Sequence, residues 1–141
     1  MVADGYLAEA ARLCHKVGAL LLADEVQSGL GRTGKWFAYQ HWPEVEPDIV
    51  CVSKALSGGY VPVGAVIASP RIMDSVFDSM EHCLIHSNTF GQNDLAMAAA
   101  LATLLVMEEE DVAGNAARLG AKANGRLTEM GNVPVLRRSA R

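Results

Sequence analysis

The chain has no excess of basic residues, no long apolar run and no metal-spaced cysteines, and each absence removes a class of function. Its 12 Lys and Arg stand against 16 Asp and Glu, a formal net charge of -4. There is therefore no basic footprint for nucleic acid or for an anionic membrane, and neither is expected as a partner. The longest apolar stretches, such as Gly18 to Ala23 and Ile49 to Val52, fall far short of the ~20 residues that a membrane-spanning helix needs. Asp4 and Glu9 occupy the region where a secretory signal would carry basic residues followed by an apolar block, so no such signal is expected. The 3 cysteines, Cys14, Cys51 and Cys83, are odd in number and lack metal-ligand spacing. Cys14 and Cys51 sit among apolar neighbours, where a free thiol behaves as a small buried hydrophobe. Free thiols fit a reducing cytoplasm, which is the expected location. No repeat or low-complexity linker interrupts the chain.

What is present is an ordinary globular balance: 50% hydrophobic and 20% charged residues in 141, enough for one domain with a core. Leu7, Ala10, Ala11, Cys14, Val17 and Gly18 keep helical spacing, and Gly18 can close that helix with a positive φ. Ala19 to Ala23 reads as a strand buried on both faces, as in parallel sheets. Asp48 to Ser53 reads as a second strand and Pro62 to Ala68 as a third. Pro70 suits the first turn of a helix running through Met73, Val76 and Phe77. Residues 81 to 93 read as a polar loop, Leu95 to Met107 as a strong helix, and Val112 to Met130 as another. Alternating strands and helices predict an α/β fold with a largely parallel sheet. Ligand chemistry in such folds gathers at the carboxyl ends of strands, where Asp24 and Lys54 both fall.

Two constellations compete for chemistry. Gly29-Leu-Gly31-Arg-Thr-Gly34-Lys35 satisfies G-x-G-x-x-G and nearly satisfies the P-loop pattern, but Trp36 stands where a magnesium-binding Ser or Thr is needed. Both nucleotide motifs also open directly into a helix, whereas Trp36 to Pro43 is aromatic and ends in proline. A flexible turn that brings the backbone close to a neighbour is the better reading. The second constellation is Asp24-Glu-Val-Gln27 at one strand end and Ser53-Lys54 at another. Desolvation of a lysine directly after a buried strand favours the neutral amine, the form that attacks a carbonyl carbon. A lysine for an aldehyde and an acid for a pyridinium nitrogen are what pyridoxal phosphate requires. An Asp–Lys ion pair stapling two strands is the alternative. The histidines His15, His41, His82 and His86 show no zinc spacing, although His82 and His86 share the loop before Thr89.

The run from Leu21 through Asp24-Glu25-Val26-Gln27 to Gly34, followed by Pro47 to Ser53-Lys54 and Gly58-Gly59, resembles the signature of class III aminotransferases. These are the ornithine, acetylornithine and 4-aminobutyrate type. The likeness includes the spacing between acid and lysine, continues through Pro62 to Val66, His86 to Gly91 and Leu104 to Gly120, and covers roughly residues 4 to 130. It implies the large domain of the fold-type-I PLP-transferase architecture, a homodimer, and pyridoxal phosphate bound on Lys54. It further implies that Lys54 moves a proton between the substrate α-carbon and the cofactor, while Asp24 pairs with the ring nitrogen. Val26 would pack on the ring face and Gln27 would lie near the 3-hydroxyl. Glu25 belongs to the matched cofactor motif, Thr89 would donate to the phosphate across the dimer interface, and Asn88 would stand beside the substrate. Relatives commonly carry Ser at that last position.

The implied activity is transfer of an amino group between an amine or amino acid and a 2-oxo acid. An aminomutase or a decarboxylating relative shares the same signature, and a truncated, non-catalytic remnant is the reading from another class. Relatives are several times longer. They carry an upstream phosphate cup with a ring-stacking aromatic residue, and a downstream small domain with a carboxylate-binding arginine. Residues 1–133 are thus expected to form part of the cofactor domain. Residues 134–141, with Arg137, Arg138 and Arg141, read either as a solvated basic tail or as a truncated reading frame.

Overall fold

The computed structural model describes residues 5–131, so the arginine-rich end lies outside the described residues. Helix α1 spans Tyr6–Val17 and ends as its sequence requires. Gly18 takes φ 71°, and the Ala19 amide donates back to the Cys14 carbonyl at 2.9 Å, which satisfies a carbonyl that the helix leaves open. On the exposed face of α1, Arg12 grips the Glu9 carboxylate with two nitrogens and holds that carboxyl below its usual range, although a pair so open to water adds little stability.

Three strands form one sheet in the order β1 (Leu22–Asp24), β2 (Ile49–Val52) and β3 (Ala65–Ala68). The β1–β2 pair is parallel, with Asp24 opposite Cys51, whereas β2–β3 is antiparallel, with Val52 opposite Ala65. The sheet is therefore mixed. A parallel neighbour needs a crossover of a dozen or more residues, and the segment from β1 to β2 provides one. The shorter path from β2 to β3 instead turns back on itself through Gly58 and Gly59. Asp48 ties the parallel pair at its start, because its Oδ2 accepts from the Leu21 amide at 2.8 Å.

Helix α2 covers Pro70–Val76 with Pro70 in the first turn, as expected. Helix α3 covers Asp94–Glu109 and opens on Asn93, whose Oδ1 accepts from the Ala96 amide at 2.9 Å. Helix α4 covers Val112–Gly131. The core joins Leu30, Val50, Val52, Leu56, Ala100 and Met107, so one face of β2 packs against α3 and the turn after β1. The glycine turn lies close to α4: a β-carbon on Gly34 would stand 2.8 Å from that of Ala117. This is the close backbone approach expected of the turn, and it opens into no helix that could hold phosphate.

Burial departs from expectation at the outer strands. Leu22 in β1 is 53% exposed and Val66 in β3 is 61% exposed, so neither strand is covered on both faces by the described residues. Helix α3 buries Ala96, Ala100 and Met107 along one stripe and leaves Leu95, Leu101 and Leu105 in the open. A helix apolar around its whole circumference is suited to burial on every side, and here only one side is met. No described helix is long and apolar enough to cross a membrane.

Candidate functional site

The site forms where the carboxyl ends of β1 and β2 lie side by side, the usual location of ligand chemistry in open α/β sheets. Asp24 closes β1, and the chain then makes a turn through Glu25, Val26 and Gln27. Lys54 follows β2 by two residues and begins a short 3₁₀ turn, Lys54–Ser57. Its backbone lies in the left-handed region at φ 45°, which costs roughly 1–2 kcal/mol for a residue with a β-carbon. Ser53 helps to hold it there, since its hydroxyl donates to the Val63 carbonyl at 2.7 Å.

Lys54 is exposed, so the desolvation expected from its place after a buried strand is absent among the described residues. Nor does it pair with Asp24. The Lys54 ammonium donates to Gln27 Oε1, and Asp24 Oδ1 accepts from the Val26 amide at 3.1 Å. The expected alternative, an ion pair stapling the strands, is not formed among the described residues. Asp24 keeps an exposed carboxylate at the strand end, open to a ligand.

Lys54 borders three adjoining hollows. One of about 600 Å³ is lined by Ser53, Lys54, Val63, Asn88 and Phe90 among others. A second, of about 310 Å³, is lined by Val26, Gln27, Gly29, Arg32, Lys54 and Ala55. A third, of about 550 Å³, lies between the 3₁₀ turn and the α3–α4 junction. Of the residues implied by resemblance, Val26 and Gln27 border one of these hollows, Asn88 another and Lys54 all three, whereas Asp24 lies beside them at the strand end and borders none. Thr89 is exposed on the loop beside Asn88 and borders none of these hollows. Glu25 is buried and turned away, its carboxylate engaged by Ser28 and the Tyr39 amide.

Arg32 escaped notice in the sequence, where it was one letter of a glycine-rich run. In the structure it borders two of the three hollows together with Lys54. A cation next to the glycines that bend the chain was the available signal. Three of the four histidines have local partners: His82 meets Asp78 at 2.5 Å, His41 lies 3.1 Å from Thr33, and His15 lies 3.9 Å from Asp48. The three cysteines are free, with Cys14 and Cys51 half-buried and Cys83 exposed. Among the described residues no cluster of three or more His, Cys, Asp or Glu could hold a metal.

The sequence profile of the family described as "Aminotransferase class-III" matches residues 1–138. The chain belongs to the class III aminotransferase family. Solved structures agree with this. The ornithine aminotransferase of Toxoplasma gondii is 41% identical, with a TM-score of 0.83, over 94% of this chain and 30% of that one. The acetylornithine aminotransferase of Elizabethkingia anophelis is 41% identical, with a TM-score of 0.80, over 90% of this chain and 32% of that one. The taurine:2-oxoglutarate aminotransferase of Bifidobacterium kashiwanohense, solved with PLP and glutamate, is 36% identical, with a TM-score of 0.85, over 93% of this chain and 28% of that one. The α/β arrangement of strands and helices is therefore that of the corresponding part of these aminotransferases. The chain spans about 30% of the first structure's length.

Proposed function

We propose that the protein carrying this segment is a transaminase that uses pyridoxal phosphate and exchanges an amino group between an amine or amino acid and a 2-oxo acid. The observation that supports it best is the meeting of Lys54 with the Asp24–Gln27 turn at one sheet edge, in a chain of this family. The donor set fits the cofactor. An exposed primary amine borders open space, an exposed carboxylate ends the neighbouring strand, and Val26 and Gln27 line the gap beside them. When bound, the cofactor supplies an aldehyde for covalent attachment and a ring that absorbs the negative charge released by deprotonation at the substrate α-carbon.

In this reading Lys54 Nζ would hold the cofactor aldehyde and would carry the proton to and from the substrate α-carbon. Asp24, at the end of β1, would keep the ring nitrogen protonated. Val26 contributes an apolar wall and Gln27 a polar contact near the ring hydroxyl. Asn88, on the hollow that Ser53 and Lys54 also border, would meet the substrate, while Thr89 would reach the phosphate of a second copy in a homodimer. Residues 1–133 belong to the cofactor domain, and the protein works in the cytoplasm. The substrates are small amino and oxo acids.

The test is an amino-transfer assay on the full polypeptide, with several amino donors against 2-oxoglutarate and pyruvate. Transfer that requires pyridoxal phosphate is expected. Release of carbon dioxide, or movement of the amino group within one substrate, would select the decarboxylating or aminomutase reaction instead.

A further inference from the structure

Glu25 and Ser57 are the buried polar side chains among the described residues, and Glu25, at 3% exposure, is the charged one. Keeping a carboxylate out of water is costly unless its oxygens are met by donors. Here both are: Ser28 Oγ donates to one at 2.6 Å and the Tyr39 amide donates to the other at 2.9 Å. The backbone of Glu25 is engaged as well. Its amide donates to the Cys51 carbonyl and its carbonyl accepts from the Gly29 amide, each at 2.9 Å. One residue thus joins the end of β1 to β2, to its own turn and to the aromatic segment beyond the glycines. It borders none of the hollows that Lys54 borders, whereas its neighbours Val26 and Gln27 do.

We propose that Glu25 is a positioning residue: its buried carboxylate fixes the turn after β1 so that Val26 and Gln27 meet the ligand space beside Lys54, and it makes no bond to the cofactor itself. The cofactor half of this statement rests on the function proposed above. Charge-assisted bonds to two donors explain why an acid serves here. Glutamine would retain an acceptor for the Tyr39 amide and could donate to Ser28 Oγ, so it should keep the geometry of the turn while losing only the charge assistance.

Glu25→Ala, Glu25→Gln and Ser28→Ala are compared in the full polypeptide by two measurements. Amide hydrogen exchange is followed without cofactor, and pyridoxal phosphate is titrated by absorbance. Glu25→Ala is expected to speed exchange at the Tyr39 and Gly29 amides and to weaken cofactor binding, each by about tenfold or more, as loss of a bond to a charged acceptor implies. Glu25→Gln should restore both to within about threefold. Should Glu25→Ala not fold, Ser28→Ala, which keeps the Tyr39 bond, carries the same two readings at about threefold. Unchanged exchange overturns the proposal. Faster exchange with unaltered cofactor affinity also overturns it, leaving Glu25 a purely structural residue. A Glu25→Gln variant that binds as poorly as Glu25→Ala overturns it too, because the charge would then act on the cofactor. An unsubstituted protein that binds no pyridoxal phosphate overturns the cofactor reading instead, and the exchange measurement still decides whether Glu25 holds the turn.

Discussion

The Lys54 ammonium donates to the Gln27 side-chain oxygen, closing a contact between two residues 27 positions apart in sequence. Parallel pairing of β1 with β2 makes this possible, because it brings the residues that follow each strand to the same edge of the sheet. A ligand entering beside Lys54 would meet the amine already aimed at the turn that carries Asp24, Val26 and Gln27.

Covalent attachment is expected at Lys54. In the full polypeptide, Lys54→Ala should lose the borohydride-reducible adduct with pyridoxal phosphate, while the unsubstituted protein yields one adduct on reduction, digestion and peptide mapping. Lys16 and Lys35 are the natural controls, since Lys16 lies in the last turn of α1 and Lys35 beyond the glycine turn. An adduct on either in place of Lys54 would remove the assignment.

Asp24→Asn should separate binding from chemistry. The asparagine oxygen can still accept from the Val26 amide, so the turn keeps its shape. The negative charge proposed to face the ring nitrogen would be lost, and with it the proposed means of keeping that nitrogen protonated. Cofactor affinity should change little, while proton abstraction from the substrate slows by about a hundredfold, ~2.7 kcal/mol of barrier. Single-turnover absorbance measurements with one amino donor report both quantities, and turnover close to that of the unsubstituted protein would rule the role out.

Gly34→Ala should destabilise the fold at the contact between the glycine turn and α4. Gly34 sits at φ 88°, and an added β-carbon would stand 2.8 Å from the β-carbon of Ala117 and 3.0 Å from its Cα. The second of these atoms is helix backbone and cannot swing aside, so the turn or α4 must move. The combined strain and overpacking should cost about 1–3 kcal/mol. A denaturation midpoint unchanged in Gly34→Ala would mean that α4 does not dock on the turn as described.

Helix positions were legible almost residue by residue because their signals are local. Gly18 stops α1, Pro70 starts α2, and the unbroken Ala, Leu and Met run after Asn93 makes α3. Strand existence was equally plain from the β-branched run in β2. The direction of β3 was not, because it depends on the path between strands and not on the residues within them. Burial was the least legible property: Leu22 and Leu101 are as apolar as Val52, yet only Val52 is covered by described neighbours. At the site, types and spacing named Lys54 and Asp24. Resemblance placed Glu25 in the cofactor motif, but its partners Ser28 and Tyr39 are identified by the folded turn alone.

Expressed alone, the 141-residue chain should be a poor transaminase even though it holds Lys54 and Asp24. A lysine and an acid supply covalent chemistry and charge, but rate also depends on holding the substrate in reacting geometry, which can be worth roughly 7–11 kcal/mol. The hollows around Lys54 are open, and among the described residues they carry no stacked aromatic ring over Val26 and no closed cup for a phosphate. The exposed apolar surface argues the same way. Tyr60 and Phe90 are 89% and 84% exposed, and Leu95, Leu101 and Leu105 line the open side of α3. Large apolar side chains left in water in this number promote association. The isolated chain should therefore retain pyridoxal phosphate weakly or not at all and should self-associate in light scattering. Its amino transfer from several donors to 2-oxoglutarate should stay near background. A yellow, soluble, dimeric preparation turning over at the about 1–1,000 per second ordinary for enzymes would refute this. It would mean that the segment organises substrate and cofactor without the remainder of the aminotransferase architecture.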